Sequence, residues 1–260
     1  MNRHSAWGPA ALIAALLFLL GPFVVVVVAG FSADETLRFP PQSYSLKWLG
    51  HVFTVESFQR SLGVSLGVGL GSTTLALLLG VPVAYALSRH PFKGAEWVRA
   101  TLTLPVIVPG IIVGLALLNH GVLALNWPVA MSLLIGHTTL LVPYTVRVVG
   151  ASLANLRLDI DDAALTLGAT RWQAFVKVVL PNIRGGVAAA FVLAFITSFN
   201  QVPVSLFLTG PGVSTLPIDM LAYMETSYDP SIAALSTLLV LFTIALVAAT
   251  EKLLGISKYV

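Results

Sequence analysis

Charged residues are missing from five long stretches of this chain: 5–33, 61–88, 100–146, 185–218 and 230–250. About 20 apolar residues in helical form cross roughly 30 Å of hydrocarbon. Each stretch is therefore long enough for one crossing, and 100–146 holds two, separated by Asn119-His120-Gly121 and Asn126-Trp127-Pro128. The prediction is an all-α polytopic membrane protein with six transmembrane helices, near 8–31, 61–87, 100–118, 127–148, 186–208 and 231–253. Composition adds one exclusion: a chain 57% hydrophobic and 10% charged has too little polar surface to wrap a soluble domain of this size.

Arg3 ahead of an apolar run, with Ala29-Gly30-Phe31-Ser32-Ala33 behind it, has the outline of a secretory leader. The run from 7 to 28 is longer than the ~7–15 residues of a leader's apolar region, so it is kept as a true span. Without cysteine the chain has no disulfide, thiolate metal site or cysteine nucleophile. The net charge of +3 reflects topology rather than nucleic-acid binding. With both termini inside, Arg3, Arg89, Lys93, Arg99, Arg147, Arg157, Arg171, Lys177, Arg184, Lys252 and Lys258 are cytoplasmic, and only Arg38, Lys47 and Arg60 lie outside.

The chain reads as a single transmembrane domain, 1–260, without a visible internal repeat. Outside, Phe39-Pro40-Pro41 predicts a turn and Ser45-Leu46-Lys47-Trp48-Leu49 a short amphipathic helix at the interface. Gly63, Gly67 and Gly71, then Gly80 and Ala84, predict a small-residue face on span two for close helix packing. Pro105, Pro109, Gly110 and Gly114 predict a kinked or partly unwound span three, tolerated at depth only where protein or a watery cavity satisfies the freed backbone.

The region 149–185, on the inside, is the longest polar interruption and the least loop-like. Asp159, Asp161 and Asp162 suit the N-terminus of a short helix over 158–167, and Gly168 suits the left-handed residue that ends it. Thr170 with Gln173 forms a capping-box pattern that opens a second helix, expected to run to Val179 and stop before Pro181. Ala163 and Ala164 keep one surface low, a shape suited to a partner's groove.

Asp162-Ala163-Ala164, three residues, Gly168, nine residues and then Val178-Val179-Leu180-Pro181 resemble the Glu-Ala-Ala motif of type I ABC importer permeases, with Asp162 for Glu and Val178 for Ile. Leu104-Pro105-Val106-Ile107-Val108-Pro109-Gly110 and the stretch from Ser214-Thr215-Leu216-Pro217 through Leu239 resemble the second permease of spermidine/putrescine-type systems. The resemblance implies a bacterial inner-membrane subunit without cofactor of its own. Its implied partners are two ATP-binding subunits that hold ATP and Mg, a second, non-identical permease, an extracytoplasmic solute-binding protein and membrane lipid, with no nucleic acid. It implies a cytoplasmic coupling helix between spans four and five, with Asp162, Ala163, Ala164, Gly168, Ala169, Thr170, Arg171, Trp172, Leu180 and Pro181 as coupling residues. Pro105, Pro109, Asn200 and Gln201 are candidates for the translocation path. Polyamine permeases carry an acidic residue after a Ser-Phe pair in span five, whereas Ser198-Phe199 precedes neutral Asn200-Gln201 here. An amino-acid-like, opine-like or phosphonate solute is therefore as open as a polyamine.

Rival readings have specific requirements. A secondary transporter or channel needs intramembrane ionisable groups or inverted halves, neither evident in the sequence. His137 and His120 invite a proton relay, but the charge-free stretches hold no carboxylate to pair with them. Gly63-Val64-Ser65-Leu66-Gly67 spells a serine-hydrolase pattern, which requires a base beside Ser65 and a strand-to-helix turn rather than a membrane helix. No Gly-Lys pair occurs, so any triphosphate belongs to another chain.

Overall fold

The computed structural model describes residues 7–90 and 92–254. Arg3 and Lys258, and with them the two termini of the predicted topology, lie outside the described residues. Helices account for nearly all regular structure, and the described residues contain only two isolated β-bridges, Ser32 with Tyr44 and Gly210 with Val213.

Chain contacts divide the described residues into two units. The smaller comprises residues up to Gln59 together with Asp219–Ile244. It contains α1 (Trp7–Gly30), the short α2 (Lys47–His51), most of α11 (Leu216–Thr226) and the first half of α12 (Ser231–Leu254). α1 exposes nearly all of its apolar length, yet its C-terminal end is held tightly: a Cβ on Gly30 would lie 2.5 Å from Thr237 Oγ1 and 2.9 Å from the Ala233 carbonyl oxygen. The predicted interfacial helix forms as α2, with Trp48 buried and its indole N–H donating to the Asp34 carbonyl at 3.0 Å. Asp229 opens α12, accepting from the Ser231 N–H at 2.8 Å and from the Tyr223 hydroxyl at 2.7 Å.

The larger unit runs from Arg60 to Ile218 and takes up again at Ala245. It holds most of α3 (Glu56–Arg89), then α4 (Ala95–Ile107), α5 (Gly110–Ala116), α6 (Val129–Ala154), α7 (Asp159–Thr166), α8 (Arg171–Ala174), α9 (Leu180–Asn182) and α10 (Arg184–Phe199). α3, α6 and α10 supply most of its interior. Ala76, Leu141 and Ala194 meet at mid-height, and Gly80 lets α3 approach α6 so closely that a Cβ there would lie 2.7 Å from Thr145 Cγ2. The small-residue face of α3 matches the predicted one at Gly71, Gly80 and Ala84, a Cβ on Gly71 lying 2.9 Å from Leu134 Cδ1, but not at Gly63 and Gly67. Gly63 and Gly67 have nothing within 4 Å of a built Cβ, and the packed face runs through Ser65, Ser72, Ala76, Gly80 and Ala84. In lipid a helix associates through close contact and polar matching, and serines and alanines serve this as well as glycines do.

Among the described residues, four helices are individually long and apolar enough to cross a membrane, and two sharply bent pairs bring the number to as many as six. Predicted span three is one bent pair: α4 and α5 meet at 90° across Val108-Pro109. Proline at 109 drives the preceding residue out of the helical region, and Val108 is extended at φ −69°, ψ 125°. Predicted span five, expected as one helix over 186–208, is shorter: α10 stops at Phe199 and the chain resumes as a tight turn at Ser205–Phe207. Asn200 ends the helix by folding its side-chain amide back onto the Ile196 carbonyl at 3.0 Å.

A close helix contact sits between α6 and α10, where a Cβ on Gly186 would lie 2.3 Å from Ser152 Cβ. Gly186→Ala is expected to lower thermal stability by an overpacking cost of about 1–3 kcal/mol, and Ser152→Gly in the same chain to recover most of it. Detergent-solubilised melting of the single and double variants checks this; no recovery in the double variant would show that the two helices do not meet there.

Candidate functional site

The polar region between α6 and α10 is built around a reversal that can be read atom by atom. α7 ends with Gly168 at φ +86°, a conformation that L side chains rarely adopt. The Gly168 N–H donates to the Leu165 carbonyl at 2.9 Å and the Ala169 N–H to the Ala164 carbonyl at 3.1 Å. This is the paired closure of a Schellman cap, and it satisfies carbonyls that the helix end would otherwise leave open. Thr170 then opens α8 through a reciprocal capping box: its hydroxyl accepts from the Gln173 N–H at 3.2 Å, and the Gln173 side chain accepts from the Thr170 N–H at 2.9 Å. The elbow and both caps follow the sequence prediction.

The second helix does not stop before Pro181. α8 widens into a π-helical turn over Phe175–Val179, in which the Leu180 N–H donates to the Phe175 carbonyl, and α9 continues through Pro181 to Asn182. In a regular α-turn the proline ring would press on the carbonyl four residues back. The wider turn accommodates it, and the chain bends by 73° into α10.

Two anchors fix this segment to the adjoining ends of α3 and α6. Phe175 is buried in a cluster with Val81 and Ala84 of α3, Val149 and Leu153 of α6, and Val179 and Ile183, while Tyr85 lies over it at 4.7 Å between ring centroids. The second anchor is ionic. Arg89, at the end of α3, places Nε 3.2 Å from Asp161 Oδ2, with only 3% of the arginine side chain and 14% of the aspartate exposed. Arg89 also donates to the Leu156 carbonyl at 3.0 Å, and the Tyr85 hydroxyl donates to Asp161 Oδ1 at 3.2 Å. From the sequence alone Arg89 is a topology charge and Asp161 a helix-dipole acid. Nothing local joins residues so far apart in the chain.

The opposite side of the segment is open. Asp162, Ala163, Thr170, Arg171 and Pro181 are exposed, Ala169 and Leu180 are half-buried, and Leu167 and Trp172 present 89% and 69% of their surface. The two alanines do not share a surface, since Ala163 faces out and Ala164 is buried. At the start of α7, Asp159 pairs with Arg157, and this hydrogen bond, at 3.0 Å from Arg157 Nε, is the main cause holding the carboxyl below its ordinary pKa.

The residues proposed for the path lie at the two breaks, apart from Pro105, which stays inside α4. The breaks are neighbours. Val204 is fully buried in a notch formed by three glycines: a Cβ on Gly114 would meet its carbonyl oxygen at 2.5 Å, one on Gly136 its Cγ1 at 2.9 Å, and one on Gly110 the adjacent Pro203 at 3.1 Å. Pro109 and Asn200 are exposed and Gln201 half-buried around this notch.

Beneath it, His137 joins α6 to both sides of the second break, with Nδ1 2.8 Å from Ser198 Oγ and Nε2 3.0 Å from Ser205 Oγ. Ser205 gives its own proton to the Gln201 carbonyl at 2.8 Å. Nε2 therefore donates, and Nδ1 accepts from Ser198, whose oxygen lies 2.9 Å from Ser72 Oγ. His137 is thus a hydrogen-bonded structural residue among serines. Ser65 is equally structural: its buried Oγ accepts from the Leu216 N–H at 2.7 Å, capping α11.

A helical membrane chain with broken crossings and an anchored polar segment between two of them has the architecture of the permease component of an ABC importer. This chain belongs to the family of binding-protein-dependent transport system inner membrane components, which matches residues 76–255. It is 29% identical over 243 residues to the putrescine transport system permease protein PotI of Escherichia coli K12, covering 91% of this chain and 86% of the relative. It is also 29% identical over 234 residues to the spermidine/putrescine transport system permease protein PotC of the same strain, covering 90% and 88%. Among solved structures, a bacterial ABC transporter that imports the acidic polysaccharide alginate contains a chain of the same fold, with TM-score 0.71 at 17% identity over 97% of this chain and 98% of that one.

Because a buried ion pair is costly to halve, Arg89→Ala is expected to destabilise the docking of α7 by about 3–5 kcal/mol. Asp161→Ala in the same chain should remove much of that penalty. Amide hydrogen exchange across 159–170 in the single and double variants measures the coupling; additive effects would show that the pair contributes nothing beyond its separate charges.

Proposed function

We propose that this permease forms half of a solute path and transmits the motion of partner ATPases through the segment 159–181. The observation that carries this is the segment's two-sidedness. Phe175 and the Arg89–Asp161 pair tie one side to α3 and α6, while Leu167, Trp172 and Ala163 stand exposed on the other, so a push on the open side acts on the bundle rather than deforming a loop. The coupling residues are Asp162, Ala163, Ala164, Gly168, Ala169, Thr170, Arg171, Trp172, Leu180 and Pro181, with Ala164 acting through its buried packing. Two ATP-binding subunits with their ATP and Mg, a second, non-identical permease and an extracytoplasmic solute-binding protein complete the importer, with both termini of this chain cytoplasmic. The abutting breaks at Pro109 and Asn200-Gln201 form this chain's share of the path. The solute is a small polar organic molecule; the putrescine and spermidine relatives favour a polyamine, while the neutral Asn200-Gln201 pair keeps amino-acid-like, opine-like and phosphonate solutes in play.

Gly168→Ala meets no neighbouring atom within 4 Å, so its cost is the backbone conformation alone, about 1 kcal/mol. The expected outcome in the assembled transporter is normal membrane insertion with reduced uptake, and Ala163→Trp should block ATPase docking outright. Uptake and ATP hydrolysis at unaltered rates in both variants would remove the segment from the coupling role.

A further inference from the structure

Between α3, α4 and α6 lies a groove of about 630 Å³, which shares Ala84 and Val146 with the edge of the Phe175 cluster. Its walls are mainly aliphatic, with Leu87, Leu102 and Val106 prominent; Ser88, Thr103 and Tyr144 add hydroxyl groups, and the charged groups are Arg99 and Arg147. Arg99 donates to the Leu87 carbonyl at 2.8 Å and lies 3.6 Å from Glu96, leaving its guanidinium half-exposed. Arg147 is exposed and, among the described residues, has neither carboxylate nor hydrogen-bond acceptor. No acidic side chain lines the groove. Along α6 it extends from Pro143 to Ala154, roughly 16 Å at 1.5 Å per residue.

We propose that this groove is a binding site for an anionic phospholipid, with the headgroup phosphate on Arg99 and Arg147 and an acyl chain along Leu87, Leu102 and Val106. Charge complementarity selects the headgroup, since guanidinium forks match phosphate oxygens and a basic pocket between membrane helices suits an acidic lipid. The aliphatic walls select a lipid over a free anion, because inorganic phosphate or a small phosphonate gains nothing from that surface and loses hydration against it. The site is independent of the coupling role, and either stands if the other fails.

The test is native mass spectrometry of the assembled transporter, incubated in mild detergent with dioleoyl phosphatidylglycerol or dioleoyl phosphatidylcholine. Wild type is expected to retain phosphatidylglycerol in preference, and Arg99→Gln with Arg147→Gln to lower that retention roughly thirtyfold, as two interfacial cations imply. Gly150→Leu is a second variant that keeps both arginines: Gly150 lines the groove, has nothing within 4 Å of a built Cβ and sits within a helix that leucine favours. It should exclude the lipid by volume alone. Arg184→Gln, an exposed arginine away from the groove, should retain lipid as wild type does. Equal retention in the double variant and in Gly150→Leu overturns the proposal, as does displacement of the lipid by millimolar inorganic phosphate.

Discussion

A backbone N–H or C=O left unpaired in hydrocarbon costs several kcal/mol, and this constraint explains why the interior is arranged as it is. Two helical runs are interrupted, at Val108-Pro109 and after Phe199, and each interruption frees backbone polar groups that need new partners. The solution is to put the breaks against each other. Gly110, Gly114 and Gly136 remove the side chains that would keep Val204 away, and His137 with Ser72, Ser198 and Ser205 supplies hydrogen bonds where the helix ends. The two breaks are thus gathered in one protein-lined place.

The polar segment between α6 and α10 follows a different logic. α8 and α9 are too short to persist alone, since helix nucleation is unfavourable and pieces below ~12 residues are marginal in water. Their order comes from Phe175 seated among α3, α6 and α10, and from Asp161 held by Arg89 and Tyr85. A segment locked on one side and open on the other can transmit force with little internal loss. The π-helical turn ahead of Pro181 belongs to this arrangement, because it carries the chain from the segment into α10 without an intervening flexible loop.

Much of the site was legible because its determinants are local. Gly168 at positive φ, the Schellman closure and the Thr170–Gln173 capping box each depend on atoms within a few residues, and the chain chemistry there admits few alternatives. The charge-free stretches likewise determine that the chain is helical and membrane-embedded, since only an internally satisfied backbone crosses lipid in single segments. The expected stop before Pro181 failed because a proline can be absorbed by a widened turn when the flanking residues are anchored elsewhere. Gly63 and Gly67 were expected to pack and do not, because a helix's buried face is chosen by its neighbours, and Ser72 and Ala76 meet α6 and α10 better.

What the tertiary structure alone decided are the pairings across long sequence separation: Arg89 with Asp161, His137 with Ser198 and Ser205, Val204 with three glycines from two helices, and Arg99 with Arg147 on one groove. A sequence determines where a backbone turns, caps or must stay helical, since those energies arise between near neighbours. Which helix faces which depends on the sum of many weak contacts over the whole bundle, and no single residue carries that information.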